Sequence, residues 1–247
     1  MFEMFINEHL SKHKEKKMIL NERQEQIIET LKKEKRISVK KLSEMFFVCE
    51  MTIRRDLKEL EESGYIKRYS GGAMINSEED LMPIEFRRLL HSKEKKQIAA
   101  LTKKYLSDNI AVFIDSSSTS HCIIPLLAEY KNIIIVTNSV QCLLIASKYH
   151  IKCIIAGGNY YERDRCCVGA KTTDFLSYIN VDVAFFSSLG ISDDGVISDI
   201  DEEQMAVRRV VMKNSAKKIF MFDNTKQHKT YMYKLCRADD ADDIIII

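Results

Sequence analysis

The sequence predicts an α/β protein in two parts, an N-terminal winged helix-turn-helix followed by an α/β domain with a mostly parallel sheet. Three observations carry that expectation. Between Asn21 and Ser63 apolar residues recur with a helical period in three short segments, each opened by a residue at a capping position. Residues 65–75 then alternate like paired strands around Gly71-Gly72. From Ile110 onward short apolar runs alternate with helical stretches, the rhythm of parallel strands joined by crossover helices.

Composition bounds the rest. With 247 residues, 45% hydrophobic and 30% charged, the chain is long enough for two modest domains or one large one. No apolar run approaches the roughly 20 residues of a membrane helix, and Ile244 to Ile247 is only strand-sized. Glu3, Glu8, His9 and Lys12 interrupt the apolar core a signal peptide needs, so a cytoplasmic protein without a membrane partner is expected. Seven cysteines at irregular spacing argue against a disulfide framework. Cys49, Cys122, Cys142 and Cys153 read as small core residues, and adjacent Cys166-Cys167 suit no metal pair. Neither a metal nor a cofactor is expected.

Residues 1–17, rich in Lys, Glu and His without a firm period, are expected to be a frayed extension, and residues 18–75 the helix-turn-helix unit. Asn21 is placed to cap a first helix with the stripe Ile27, Ile28 and Leu31, and Ser38 a second carrying Leu42 and Met45-Phe46. Phe47-Val48-Cys49 form a turn, and a third helix runs from about Glu50 to Ser63, ended by Gly64. On it Ile53, Leu57 and Leu60 share one face, at i, i+4 and i+7. Met51, Arg55 and Lys58 lie opposite, with Thr52 and Arg54 beside them.

A charged outer face is ordinarily just a solvated face. Here it lies on the helix that such a fold sends into the major groove, where an arginine fork suits guanine edges or phosphates. The ribbon would carry Lys67 and Arg68 to a flanking phosphate or the minor groove. Charge agrees in sign: residues 1–77 hold 16 Lys+Arg against 13 Asp+Glu, the remainder 22 against 23. Double-stranded DNA is the expected partner.

The run from Arg23 to Met74, with Thr52-Ile-Arg-Arg-Asp-Leu57 and Ser70-Gly-Gly-Ala73, resembles the DNA-binding head of the DeoR family of bacterial transcriptional regulators. The resemblance extends from Met18 through nearly the whole chain. It implies a homo-oligomer (dimer or tetramer) that binds operator DNA, most simply a repressor of a carbohydrate-use operon, controlled by a phosphorylated sugar or polyol. At Cys49 the family usually has Ser, a better N-cap, so this recognition helix is expected to be held less firmly by about 0.5–1 kcal/mol.

Residues 76–92 are expected to be a linker. Ser77, Glu78, Glu79 and Asp80 break the period and Pro83 stiffens the chain after them, while Arg87 and Glu94-Lys95 fit the family's linker pattern. The second domain, 93–247, would open with a helix carrying Ile98, Leu101 and Leu106. Strands are expected at 110–115, 133–136, 153–156, 182–187 and 218–223. Helices carrying Ile124 and Leu127, then Leu143, Leu144 and Ala146, and a later one at 203–213, separate them.

Asp115, Ser116, Ser117, Ser118 and Thr119 join a strand end to a helix N-terminus, where unpaired N–H groups and the macrodipole favour an anion. The loop is either a phosphate cradle or an ordinary capped turn. Thr137, Asn138 and Ser139 end the next strand and Asp223 to Lys226 another, and ligands of open parallel sheets gather at such ends. The family's ligand domain is similar to the sugar-phosphate isomerase fold, and its phosphate loop usually has Gly where Ser117 stands. By resemblance Gly157, Gly158, Gly169, Asp223 and Lys226 shape the pocket and bind sugar hydroxyls or phosphate. His121 reads as a ligand contact or a core histidine, and Asp199, Asp201, Glu202 and Glu203 as favourable charge at a helix N-terminus. The rival reading, an isomerase-like enzyme with an attached nucleic-acid module, needs a general base that the sequence does not identify. No catalytic residue is expected.

Overall fold

In the computed structural model residues 21–75 and 82–247 are described, the side chains of Lys32 and Ile75 excepted. The expected extension at 1–17 and the stretch 76–81 lie outside them. Two compact units divide between Glu78 and Glu79.

In the first unit α1, Glu22–Glu34, is capped by Asn21, which accepts from Gln24 N while the Gln24 side chain accepts from Asn21 N. β1 is Arg36–Ser38. α2, Val39–Phe46, is capped by Ser38, and Phe47 ends it in the left-handed region at φ 53°. α3 is Glu50–Glu62. Its Ile53, Leu57 and Leu60 bury against Ile27, Ile28, Leu31 and Leu42. Met45 is exposed, contrary to expectation, because Val39 and Leu42 supply the inward stripe of α2. Arg23 Nε donates to the buried carboxylate of Asp56 at 2.6 Å, fastening α1 to α3. β2, Ile66–Tyr69, and β3, Gly72–Ile75, form the wing, turning at Gly71 with φ +90°. β1 adds a third strand against β3 that three residues were too short to announce. A Cβ on Gly72 would lie 2.4 Å from Ile37 O, so that close approach requires glycine.

The second unit begins earlier than the linker expectation allowed. α4, Ile84–Leu89, falls within 76–92, and Met82, Ile84 and Phe86 are fully buried. The apolar side chains at every second position outweigh the break that Pro83 suggests. α5 is Ser92–Leu101, but Leu101 is exposed and Lys95, Ile98, Ala99 and Thr102 make the inward stripe.

β4 (Ala111–Ile114) leads through a 3₁₀ turn, Ser120–Ile123, to the one-turn helix α6 (Ile124–Leu127) and β5 (Ile134–Thr137). Next come α7 (Val140–Lys148), β6 (Lys152–Ile155), the hairpin β7 (Asn159–Tyr161) and β8 (Cys166–Val168), and α8 (Ala170–Ser177). β9 (Val181–Phe186), β10 (Gly190–Ile191) and β11 (Val196–Asp199) precede α9 (Glu202–Lys213). β12 (Ser215–Phe222), β13 (Tyr233–Arg237) and β14 (Asp243–Ile246) complete the order.

Six strands form one sheet in the order β14-β12-β9-β4-β5-β6, each neighbouring pair parallel. Strand alternation sorts its two faces. Val112, Ile114, Val183, Phe185, Ile219 and Met221 pack with Ile98, Ile124, Leu127 and Cys142. Phe113, Ala184, Phe186, Phe220 and Phe222 pack with Met205, Val207 and Val211, and Phe186 stacks on Phe220 at 5.1 Å. The β7–β8 hairpin and the small antiparallel sheet β10-β11-β13 were not foreseen. Leu144, expected in the core, is exposed, its place taken by Cys142 and Ile145. Among the described residues no helix is long and apolar enough to cross a membrane.

Candidate functional site

On the first unit the outer face of α3 presents Met51, Arg54, Arg55 and Lys58 to solvent, with Thr52 half-buried at its first turn. Arg54 pairs with Glu50 at 3.1 Å and Lys58 with Glu62 at 3.7 Å, exposed contacts worth little and easily exchanged for phosphate. Arg55 has no ion-pair partner among the described residues. On the wing Lys67 is exposed, but Arg68 is occupied: its backbone N and its Nε donate to the two carboxylate oxygens of Glu61 at 2.8 and 2.6 Å. A concavity between α3 and the wing is lined by Arg54, Leu57, Glu61, Arg68 and Ser70.

Cys49 holds the N-cap position of α3 but makes no capping hydrogen bond. It is exposed rather than in the core, with Sγ 3.2 Å from Thr52 Oγ1. The Thr52 hydroxyl holds its thiol below the ordinary value. Cys49→Ser is expected to raise the urea midpoint of the first unit by the equivalent of about 0.5–1 kcal/mol, since a hydroxyl is the better acceptor for the first N–H groups. An unchanged midpoint would mean that this helix end is satisfied without a cap.

On the second unit a cleft opens at the C-terminal ends of β4, β9 and β12. Ser117, Ser118 and Thr119 line it from the first strand end, Ser187, Ser188 and Leu189 from the second, and Asp223 and Lys226 from the third. Arg87, Leu90, His91 and Lys95 close it from the α4–α5 segment, and Asp199 and Arg208 form part of its floor.

Two features give the cleft its chemistry. Lys95 is only 4% exposed, and its ammonium donates to Arg87 O (2.5 Å), Leu90 O (2.9 Å) and Ser118 Oγ (3.1 Å), with no carboxylate among those acceptors. Burial pushes it down to about 8, against the pull of nearby Asp223. The second is a buried ion cluster. Arg208 Nε faces Asp115 Oδ2 at 3.3 Å and Arg208 Nη1 faces Asp199 Oδ2 at 2.9 Å, while Ser117 N and Ser187 N donate to Asp115 at 2.9 and 3.0 Å. Those bonds fix the loops of β4 and β9 side by side.

Several expected ligand residues make hydrogen bonds within the surrounding loops. Asp115 is spent on Arg208 and two amides, and Ser116 donates to Gln204 Oε1 at 2.9 Å. Neither lines the cleft. Thr137 donates to Ile114 O, Asn138 to Cys167 O, and Ser139 caps α7, and none of the three lines the cleft. Gly157 and Gly158 also lie away from the cleft, and a Cβ on Gly158 would meet Thr172 Oγ1 at 2.0 Å. The helix after Thr119 is a 3₁₀ turn and one α-turn, too short for the macrodipole that was expected to hold an anion.

His121 is a core histidine, with Nε2 3.1 Å from Ser139 Oγ. Burial, with Arg88 and Arg87 adding to it, pushes it down to about 3. Asp201 does cap α9, but Asp199 belongs to the ion cluster. Lys95 and Arg208 carried a legible signal: each is a charge on an otherwise apolar helical stripe, which requires a buried partner or ligand. Ser187-Ser188 ends a strand as Thr137 does and was open to the same rule.

Family descriptions match nearly all of this architecture. Residues 23–79 match the DeoR-like helix-turn-helix domain and residues 90–246 the DeoR C terminal sensor domain. The chain belongs to the DeoR family. It is a DNA-binding transcriptional regulator whose second unit is the family's sensor domain. The glycerol-3-phosphate regulon repressor of Escherichia coli (strain K12) is 31% identical to it over 212 residues, 85% of this chain and 83% of the relative. The HTH-type transcriptional regulator IolR of Bacillus subtilis (strain 168) is 30% identical over 195 residues, 78% of each chain. Among solved structures, ribose 5-phosphate isomerase A from Neisseria gonorrhoeae aligns at a TM-score of 0.41 and 14% identity, covering 55% of this chain and 53% of that one. In DeoR-family terms α3 is the recognition helix and the β2–β3 ribbon its wing, while the cleft sits in the sensor domain.

Proposed function

We propose that this DeoR-family regulator is a cytoplasmic repressor of a carbohydrate-use operon, released from its operator by a phosphorylated sugar or polyol bound in the sensor cleft. The buried ammonium of Lys95 carries the reading. A cation held by carbonyls and a hydroxyl, beside Ser118, Thr119 and Lys226 at parallel strand ends, awaits an anion. Ser117, Ser118, Thr119 and Lys226 would hold the phosphate with Lys95 and Arg87, while Asp223 accepts from a hydroxyl of the ligand. Asp115, Ser116, Thr137, Asn138, Ser139, Gly157 and Gly158 support the surrounding loops. The names of the two relatives, one for glycerol 3-phosphate, make a phosphorylated polyol the first ligand to try.

Binding rather than catalysis suits the carboxylates present. Asp115 and Asp199 are both ion-paired to Arg208, and Asp223 caps the Asn224–Lys226 turn, which leaves the rival isomerase reading without an unencumbered base among the cleft carboxylates. Release requires the ligand to favour the non-operator arrangement by about 1–3 kcal/mol. We place Met51, Thr52, Arg54, Arg55 and Lys58 in the major groove, with Lys67 and Arg68 on flanking phosphates. A homo-oligomer would read two half-sites, since one winged helix spans too few base pairs.

The test is thermal stability with sn-glycerol 3-phosphate, sugar phosphates and their unphosphorylated forms. At 100 times Kd a true effector adds about 2.7 kcal/mol. Equal shifts from glycerol and its phosphate would remove the phosphate reading. On the DNA side, Arg55→Ala is expected to weaken the duplex selected from a random pool by about 1–3 kcal/mol and relax its sequence preference. Lys67→Ala should weaken all duplexes alike and lower the salt slope by about 1. Equal loss of discrimination in both variants, read by fluorescence anisotropy, contradicts that division.

A further inference from the structure

α4 is the first described element after residues 76–81, and the tip of the β7–β8 hairpin grips it at three points. Ile84 N donates to Arg163 O at 2.9 Å, Glu85 pairs with Arg165, and Arg87 pairs with Asp164. Asp164 is 2% exposed. Arg87 Nη2 occupies its Oδ1, while Arg163 Nη2 (2.8 Å) and Gln204 Nε2 (2.5 Å) share its Oδ2. Burial opposes ionisation there, but Arg87 and Arg163 outweigh it and hold the carboxyl below the usual range. Gln204 in turn accepts from Ser116 Oγ at 2.9 Å, in the loop that carries the cleft serines. Arg87 therefore belongs to two places at once: it lines the cleft, and its guanidinium is committed to Asp164 and to Met82 O.

We infer that Asp164 is a positioning residue that holds Arg87 in the ligand-free arrangement, and that an anion in the cleft competes for this guanidinium and thereby moves α4. The inference rests on the reading of the cleft as a phosphate site. The guanidinium gives one donor to Asp164 and one to Met82 O, and a phosphate dianion draws its charge more strongly than a carboxylate already shared with Arg163. The exchange leaves Arg163 and Gln204 on Asp164 Oδ2 but strips Oδ1 of Arg87, a cost that the stronger phosphate contact has to exceed. Lys95 acts in the same direction. Its ammonium donates to Arg87 O and Leu90 O, so an anion that draws Lys95 also loosens the C-terminal end of α4. Occupancy of the cleft thus reaches the segment that runs on toward the DNA-binding unit through a concrete two-state contact.

The probe is inorganic phosphate on the full chain, followed by calorimetry and by hydrogen exchange of the amides at 84–90. In wild type, saturating phosphate changes exchange across those amides. Asp164→Asn removes the counter-charge of Arg87, so phosphate should bind at least threefold tighter while exchange at 84–90 no longer responds to it. Simple structural damage would weaken binding instead. Arg163→Met makes Arg87 the sole cation on Asp164, so phosphate should bind at least threefold more weakly, and this variant decides the matter should Asp164→Asn not fold. Wild-type affinity in Asp164→Asn with the exchange response retained, or unchanged affinity in Arg163→Met, overturns the inference alone. No phosphate binding by wild type overturns the cleft reading beneath it as well.

Discussion

Arg208→Met is expected to destabilise the sensor unit by about 3–5 kcal/mol, the cost of breaking a buried ion pair from one side. Arg208 is buried on α9 between Asp115 and Asp199, whose attraction outweighs its own desolvation and raises its pKa. Methionine matches the stem but leaves two buried carboxylates without a cation. Asp115 would keep two amide donors, and Asp199 the Ile200 amide and Ser188 hydroxyl. Those donors spare part of the penalty and not the charge. Adding Asp199→Asn should recover part of the lost stability, because one uncompensated charge is gone. Urea denaturation at pH 7 measures both effects, and a midpoint within error of wild type would show the cluster to be dispensable.

What was legible in the sequence was what local chemistry dictates. Asn21 and Ser38 were found as caps because their side chains act within three residues, and Ile53, Leu57 and Leu60 as core because helical period alone places them. The parallel strands were visible because strands buried on both faces read as continuous apolar runs. Contacts between distant residues were not visible. Nothing near Asp115 in sequence announces Arg208, 93 residues away, so its ion pair could not be foreseen. The partners of Thr137, Asn138 and Ser139, Ile114, Cys167 and Cys142, were hidden in the same way. Met82, Ile84 and Phe86 were lost to the linker because a proline and an acidic run mask three apolar residues whose burial is decided by the second unit.

Lys95→Met is expected to cost about 1.5–3 kcal/mol of phosphomonoester affinity, roughly ten- to a hundredfold in Kd, by removing a charge-assisted donor from the cleft. Methionine is close in length and apolar, so the stripe with Ile98, Ala99 and Thr102 keeps its packing. The pH profile separates this charge from that of Lys226. A phosphomonoester gains its second charge near pH 6, and the Lys95 ammonium, held down to about 8 by burial, loses its proton above that. Wild-type affinity should therefore climb through pH 6 and fall above pH 8, whereas Lys95→Met should show the climb without the fall. A bound anion raises the lysine pKa, so binding at pH 8.5 should take up protons, read by calorimetry in buffers of different ionisation enthalpy. Stability of the ligand-free protein moves the other way. The folded pKa lies below the unfolded one of about 10.4, so the unfolded chain holds more protons between pH 8 and that value, and stability rises with pH across the window. That rise should vanish in Lys95→Met. A variant that binds sn-glycerol 3-phosphate as wild type does, with the same decline above pH 8, would move the anion contact from Lys95 to another cation of the cleft.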